Sequence, residues 1–395
     1  MSDPRGDIHR LGIDFGTTNT VVSFAVAGEP GRPIEYRHGD AAFTAFRTAL
    51  CFWDEGDEDV PDVRYEAGPW AIERFLETAG DCRFIQSLKS FAASRLFEST
   101  GIYGRAYRFE DLYSTFFRSL RRHAHPQLDR LPAEVIVGRP VEYVGEHPDA
   151  DLAMRRYQKA LRPFGFTRIR QVYEPVAAAF FYAQKLEDDA TVLVADFGGG
   201  TTDFSIIHFE VRPGGLRAQA LGHGGVGIAG DRFDYRIMEH VVLPLLGRGT
   251  TYRSMGKRLE LPRSCFSSFA SWHELSMMKT SRSFRELKEL AVWSDAPESL
   301  NRLIRLVETE QGYALYKAVT EAKESLSSAD SARLHFRHGD FEIDRPIARA
   351  DFEAWTRSEA FRMAHQRAGG SRPLYLGHPE FEGFEAVQTV TPADA

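Results

Sequence analysis

Cysteine is scarce in this chain of 395 residues: Cys51, Cys82 and Cys265 stand far apart, with no recurring spacing. That excludes a disulfide framework and paired zinc ligands, and it suits a reducing compartment. Long apolar runs are missing too. The longest, from Val176 to Ala183, is far too short to span a bilayer. The opening MSDPRGDIHR has no apolar segment of the signal-peptide kind. Basic charge is not in excess: 49 bases face 56 acids, the formal net charge is -7, and no basic run stands out. Nucleic acid is therefore disfavoured as a partner. The expectation is a soluble, cytoplasmic protein engaging neither membrane nor nucleic acid.

What the chain does have is length and apolar mass. With 43% hydrophobic and 12% aromatic residues it can bury real cores, and its length favours two or more domains. Short strand patterns alternate with helical ones. Leu11 to Asp14 and Thr20 to Val26 read as strands, as do EVIVG inside 132–140, Ile169 to Tyr173 and Val192 to Asp196. Trp70 to Glu77, Leu112 to His123 and Leu152 to Leu161 read as helices. Another helix begins at Glu174–Pro175, where proline suits the first helical turn. Residues 244–312 read as charged, helical and without strand alternation. Tyr313 to Ser327 is a further helix, Ala332 to Ile343 a hairpin, and Phe352 to Gln366 a last helix.

An internal repeat organises this pattern. IDFGTTNTVVSF begins at Ile13 and ADFGGGTTDFSII at Ala195, so Asp14 and Asp196 stand 182 positions apart. Each copy reads strand, Asp-Phe-Gly, a Thr-Thr pair, then a second β-branched strand. A repeat at that distance implies two similar lobes rather than a solenoid. A glycine-rich strand–turn–strand can line up backbone N–H groups as an anion nest. Thr201 and Thr202 can add hydroxyls. An aspartate at the strand end repels phosphate, so a divalent cation or its waters should stand between them, and magnesium suits that place. One copy alone reads equally well as a plain hairpin; two copies favour phosphate. Other motifs fail. Asp-Phe-Gly has no kinase catalytic loop beside it. Gly225, Gly227 and Gly230 spell GxGxxG without the acid-ended strand that a dinucleotide fold needs. Gly256–Lys257 lacks the rest of a Walker A loop.

LGIDFGTTNTVVS, YEPVAAAFFYA, VLVADFGGGTTDFSII and GIAGDRFDYRI resemble four motifs of the heat-shock protein 70 (Hsp70) ATPase domain, within the actin-like ATPase superfamily. FIQSLKSF and the helical segment resemble the shorter YegD-like branch. The resemblance runs from about Leu11 to about Phe361. It implies an α/β fold of two ribonuclease-H-like lobes around a nucleotide cleft, binding ATP and Mg2+. Lobe I would span 1–188, with a subdomain inserted at about 40–110. Lobe II would span 189–363, with a helical insertion at about 235–312, before an irregular tail at 364–395. By the same resemblance Asp14, Gly16, Thr17 and Thr18 form the first phosphate motif. Asp196, Gly198, Gly199, Gly200, Thr201 and Thr202 form the second, with Asp14 and Asp196 reaching the metal through water. Glu174 would orient the metal's waters or the attacking water. Lys89 would face the γ-phosphate, and Thr201 and Asp196 would assist catalysis. Gly227 and Gly230 would lie near the sugar and phosphates, although a tight turn before a helix accounts for them equally. Lys323 and Ser327 match the adenosine-contacting helix, which also reads as a solvated amphipathic helix.

Two departures accompany the resemblance. Glu324 stands where the family has its adenine-stacking arginine. The C-terminus lacks the apolar strand, Gly-Gly turn and helix that complete lobe II, RAGGSRPLYLG being a faint echo, and no peptide-binding domain follows. The fold is thus expected to have an incomplete C-terminus and an exposed sheet edge. The functional expectation is an ATP-binding, slowly hydrolysing chaperone-like ATPase whose partners are nucleotide and possible unfolded clients or co-chaperones. The alternatives are a degenerate nucleotide-binding scaffold without turnover, or an actin-like filament protein.

Overall fold

The computed structural model describes residues 8–26, 31–56, 61–78, 82–145, 147–213, 215–270, 275, 278–279, 281–367 and 373–375. It is a mixed α/β chain that divides into two compact units. The first holds residues 1–75, 82–229 and 362–395; the second holds 76–81 and 230–361. No helix among the described residues is long and apolar enough to cross a membrane.

The first unit contains two sheets that matter for the site. In one, Arg168–Tyr173, Glu134–Arg139, Ile8–Phe15 and Asn19–Val26 lie side by side in that order. The first three run parallel and the last pair is an antiparallel hairpin. The helices Phe109–His123 and Ala150–Leu161 supply one wall of its core. Phe15, fully buried, meets Tyr113 at 4.6 Å and Phe116 at 5.5 Å between ring centroids. Such edge-on aromatic contacts add to the hydrophobic burial that fixes the strand end carrying Asp14.

The other sheet is an antiparallel meander of Ala190–Phe197, Thr202–Arg212 and Gly215–Val226. The helix Glu174–Ala183 packs on it through Ala179 and Ala183, against Ile207 and Phe209. Ala190–Phe197 is an end strand of this sheet. The GHGGV run continues the third strand to Val226 instead of forming a turn, and the following helix starts at Gly230. The reason lies in its neighbours: Gly225 lets the strand run close beside Asp203 and the 141–142 segment.

The second unit combines helices Gly230–Ile237, Gly312–Ser325 and Arg349–Ala364 with the hairpin Ser331–His338/Phe341–Ala348. The expected helical insertion includes Arg282–Trp293 and Pro297–Glu308. It also contains an antiparallel hairpin, Thr251–Ser254 with Lys257–Glu260, which corrects the reading of 244–312 as free of strands. Its two-residue turn, Met255–Gly256, has both residues at positive φ (47° and 76°), the mirror-image turn that tight hairpins favour. After the last helix, His365–Arg367 pairs with Pro373–Tyr375. The rest of the expected irregular tail, 368–372 and 376–395, lies outside the described residues.

Candidate functional site

The two repeat copies fold into matching hairpins. In the first, Asp14 pairs with Val21 and Phe15 with Thr20; in the second, Asp196 pairs with Asp203 and Phe197 with Thr202. Each turn closes with the same backbone bond: Gly16 N–H donates to the Asn19 carbonyl, and Gly198 N–H to the Thr201 carbonyl, both at 3.0 Å. The correspondence is therefore ungapped. Gly199 and Gly200 occupy the places of Thr17 and Thr18, and Asp203 takes that of Val21.

The turns approach one another. A side chain on Gly200 would start 3.2 Å from Thr17 Oγ1 and 3.1 Å from Val144 Cγ2. The acids converge as well. A side chain on Gly138, the last glycine of the Glu134–Arg139 strand, would start 3.4 Å from Glu174 Oε1 and 3.5 Å from Asp14 Oδ1. Glu174 opens its helix, with Pro175 in the first turn and the favourable end of the helix dipole beside it.

Lys89 projects from the short turn Leu88–Phe91 and is buried. Ser87 before it holds φ at 55°, a left-handed conformation uncommon for a non-glycine residue and of a kind that gathers at functional sites. Lys89 Nζ donates to both oxygens of Glu174, at 2.7 and 2.8 Å. Burial works against the charge on Lys89, but Glu174 and Asp14 outweigh it and raise its pKa.

The carboxyls are raised as well, which in their case favours the uncharged form. Burial, reinforced by Asp14 and Asp196, pushes Glu174 up to about 7 despite Lys89. Burial, then Asp14, pushes Asp196 up to about 6. Asp14 still reaches solvent, yet protein on most sides raises its pKa against the pull of Lys89. Three neighbouring acids thus share one lysine, which is a deficit of positive charge. No three described His, Cys, Asp or Glu side chains form a cage able to hold a metal. Magnesium fits such a donor set, because it keeps its waters and takes few carboxylates alongside phosphate oxygens. A triphosphate entering alone would meet net negative charge; one carrying Mg2+ would relieve it.

Asp203, which the sequence reading left out, completes this cluster. It is 1% exposed, and its Oδ1 accepts the Val141 N–H at 2.7 Å. Burial raises its pKa, while the Thr201 hydroxyl and the 141–142 backbone bond to it and lower it. Asp203 stands where the first copy has Val21. Tyr143 was also missed. Its buried hydroxyl finds no hydrogen-bond partner among the described residues, and burial pushes its pKa up to about 12.

The remaining expected residues divide. Thr202 is fully buried and its hydroxyl donates to the Ile228 carbonyl at 2.7 Å. Thr18 accepts the Thr48 N–H through its carbonyl. Gly227 follows the third strand of the meander, with Val144 Cα 3.4 Å from where its side chain would begin. Gly230, Lys323 and Ser327 belong to the second unit. There Lys323 pairs with the buried Asp234 at 2.8 Å, and the Ser327 hydroxyl donates to the Glu324 carbonyl.

A comparison with known families adds a finding independent of this geometry. Residues 99–246 match the family model described as Hsp70 protein, a span that contains Glu174, Asp196, the second glycine turn, Asp203, Gly227 and Gly230. Over that segment the chain is similar to Hsp70 proteins.

Proposed function

We propose that this chain binds ATP with Mg2+ and hydrolyses it slowly as a chaperone-like ATPase. The observation that carries the reading is the approach of the two matching turns beside Asp14, Glu174, Asp196 and Lys89. The backbone N–H groups of the turns are suited to phosphate oxygens, and the Asp14 and Asp196 carboxylates to the waters of the ion. When bound, Mg2+ supplies neutralisation of phosphate charge. Lys89 puts a fixed positive charge into the same cluster, where charge developing on a transferred phosphoryl group needs stabilising. Glu174, with a pKa near 7, is matched to orienting a water and accepting its proton at neutral pH. Thr201, bonded to Asp203, adds a polar group at the second turn. Cytoplasmic location, clients and co-chaperones form part of the proposal without a structural feature of their own.

Lys89→Ala is the discriminating variant. It should cut Mg2+-dependent ATP turnover by about 100-fold or more, as loss of a transition-state charge contact does. Titration calorimetry should still detect nucleotide binding. Equal turnover in the variant sinks the role given to Lys89. One observation favours a second reading, nucleotide binding without turnover: Lys89 is held by both oxygens of Glu174. That reading predicts binding heat with ATP and Mg2+ but no phosphate release from the unaltered chain.

A further inference from the structure

The loop that follows the Lys89 turn is gathered by one side chain. Arg156 lies midway along the helix Ala150–Leu161. Its Nη1 donates to the carbonyls of Phe91, Ala92 and Ser94, at 2.7, 3.0 and 3.0 Å. Its Nη2 donates to the Phe97 carbonyl at 2.5 Å. Residues 92–97 belong to no helix or strand, so their carbonyls have no ladder to join. A buried carbonyl left without a donor is costly, and a guanidinium can serve several at once from its rigid fork. The two acids nearest in charge to Arg156 are already engaged: Glu110 pairs with Lys159, and Asp149 with Arg95. Arg156 thus spends its donors on the backbone of a single loop.

That loop is continuous with Lys89. The Ala92 N–H donates to the Lys89 carbonyl at 3.0 Å, and the Ala92 carbonyl accepts from Arg156. One residue therefore links the guanidinium to the backbone that carries the lysine. The loop is closed on itself by the stacked rings of Phe91 and Phe97, 4.5 Å between centroids. It is docked a second time on the same helix, where the Asp149 N–H donates to the Ala93 carbonyl at 2.9 Å. On the other side of Lys89, Ser87 holds its left-handed conformation, which persists only where the surroundings impose it. The long, flexible stem of Lys89 is thus anchored at a backbone position that Arg156 sets.

We propose that Arg156 is a positioning residue for phosphoryl transfer: it fixes the 91–97 loop and, through it, the place of the Lys89 ammonium. The inference rests on the role given to Lys89 above. Arg156 acts through Lys89 and is assigned no contact with nucleotide or metal. A charge that stabilises a transition state must be held closely, and a displacement of about 1 Å can cost 100-fold in rate. Lysine cannot replace this arginine, because one ammonium nitrogen cannot reach four carbonyls in the fork geometry.

The test uses the full chain with ATP and Mg2+. Arg156→Gln should lower turnover by about tenfold or more while the Kd for ATP changes by less than about twofold. The same substitution made in Lys89→Ala should cost nothing further, because the group it displaces is already gone. Arg156→Lys should recover only part of the turnover. Full turnover in Arg156→Gln overturns the proposal, and so do equal losses in the two backgrounds, which would make Arg156 a structural prop alone. A second readout needs no turnover. Nitrogen-15 NMR of the lysine side chains reports the Lys89 ammonium, identified by its loss in Lys89→Ala. Arg156→Gln should shift or broaden that signal while the backbone amide signals keep their dispersion; where this variant does not fold, Arg156→Lys is read the same way. An unmoved Lys89 signal overturns the proposal. A moved signal in a chain that hydrolyses no ATP supports the positioning and refutes the hydrolysis, so the two failures are told apart.

Discussion

At Gly225 the room for a side chain is already taken. An added Cβ would lie 2.5 Å from Asp203 Oδ1 and 3.0 Å from Val141 Cβ. Gly225→Ala must push the Asp203 carboxylate off the Val141 N–H or move the strand. Chemical denaturation should show a loss of about 1–3 kcal/mol, the usual cost of overpacking. A result within error of the unaltered chain would mean that Asp203 does not clamp the 141–144 segment. Charge at the acids makes a second prediction. Asp196 titrates at 3.8 when unperturbed but at about 6 in the fold, so over that window the folded state binds more protons than the unfolded one. Its contribution is therefore fully present below the unfolded value and is lost as pH rises through about 6. Asp196→Asn removes this dependence. In metal-free buffer, the melting temperature of the unaltered chain relative to Asp196→Asn should fall between pH 4 and 6 and then level off. A constant difference across that range would contradict the clustering of charge at this site.

At the scale of elements, the hairpins were the most legible part, because the Asp-Phe-Gly repeat fixes a strand end, a turn and a returning strand twice over. The helix begun by Glu174–Pro175 was equally plain from its proline. Three features were not legible. The ungapped match of the two turns was hidden, because the Thr-Thr pairs invite an alignment that the backbone does not follow. Asp203 was hidden with it, since its acid replaces a valine in the first copy. The Lys89–Glu174 pair joins positions 85 apart, and no local pattern encodes such a meeting. The Thr251–Glu260 hairpin was overlooked among charged residues, although Met255–Gly256 marks its turn. The Glu174–Ala183 helix carries a further prediction. It is apolar along most of its length, yet Phe180 and Phe181 remain 44% and 63% exposed. Phe181→Gln should change unfolding stability by less than about 0.5 kcal/mol, as exposed substitutions do. The temperature at which light scattering rises should increase. An unchanged scattering onset would show that this face does not drive self-association.

Over the whole molecule, the sequence-expected residues divide between two compact units. Asp14, Lys89, Glu174, Asp196 and both glycine turns belong to the first; Gly230, Lys323 and Ser327 belong to the second. The second unit keeps its own buried ion pair, Lys323 with Asp234, supported by the Thr320 hydroxyl. Removing Lys323 leaves a buried carboxylate without its cation and should destabilise by about 3 kcal/mol, readable in denaturant unfolding. A smaller effect than that of an exposed substitution would contradict the burial of this pair. The central claim concerns the first unit: two equivalent turns grip one metal-bound triphosphate. The most direct measurement is a crystal structure of the full chain with Mg2+ and a non-hydrolysable ATP analogue. The account predicts phosphate oxygens within about 2.7–3.2 Å of backbone N–H groups in both turns, 17–18 and 199–200. It also predicts the ion's waters on Asp14 and Asp196. Phosphates that touch only one turn, or a nucleotide bound away from both, would contradict it.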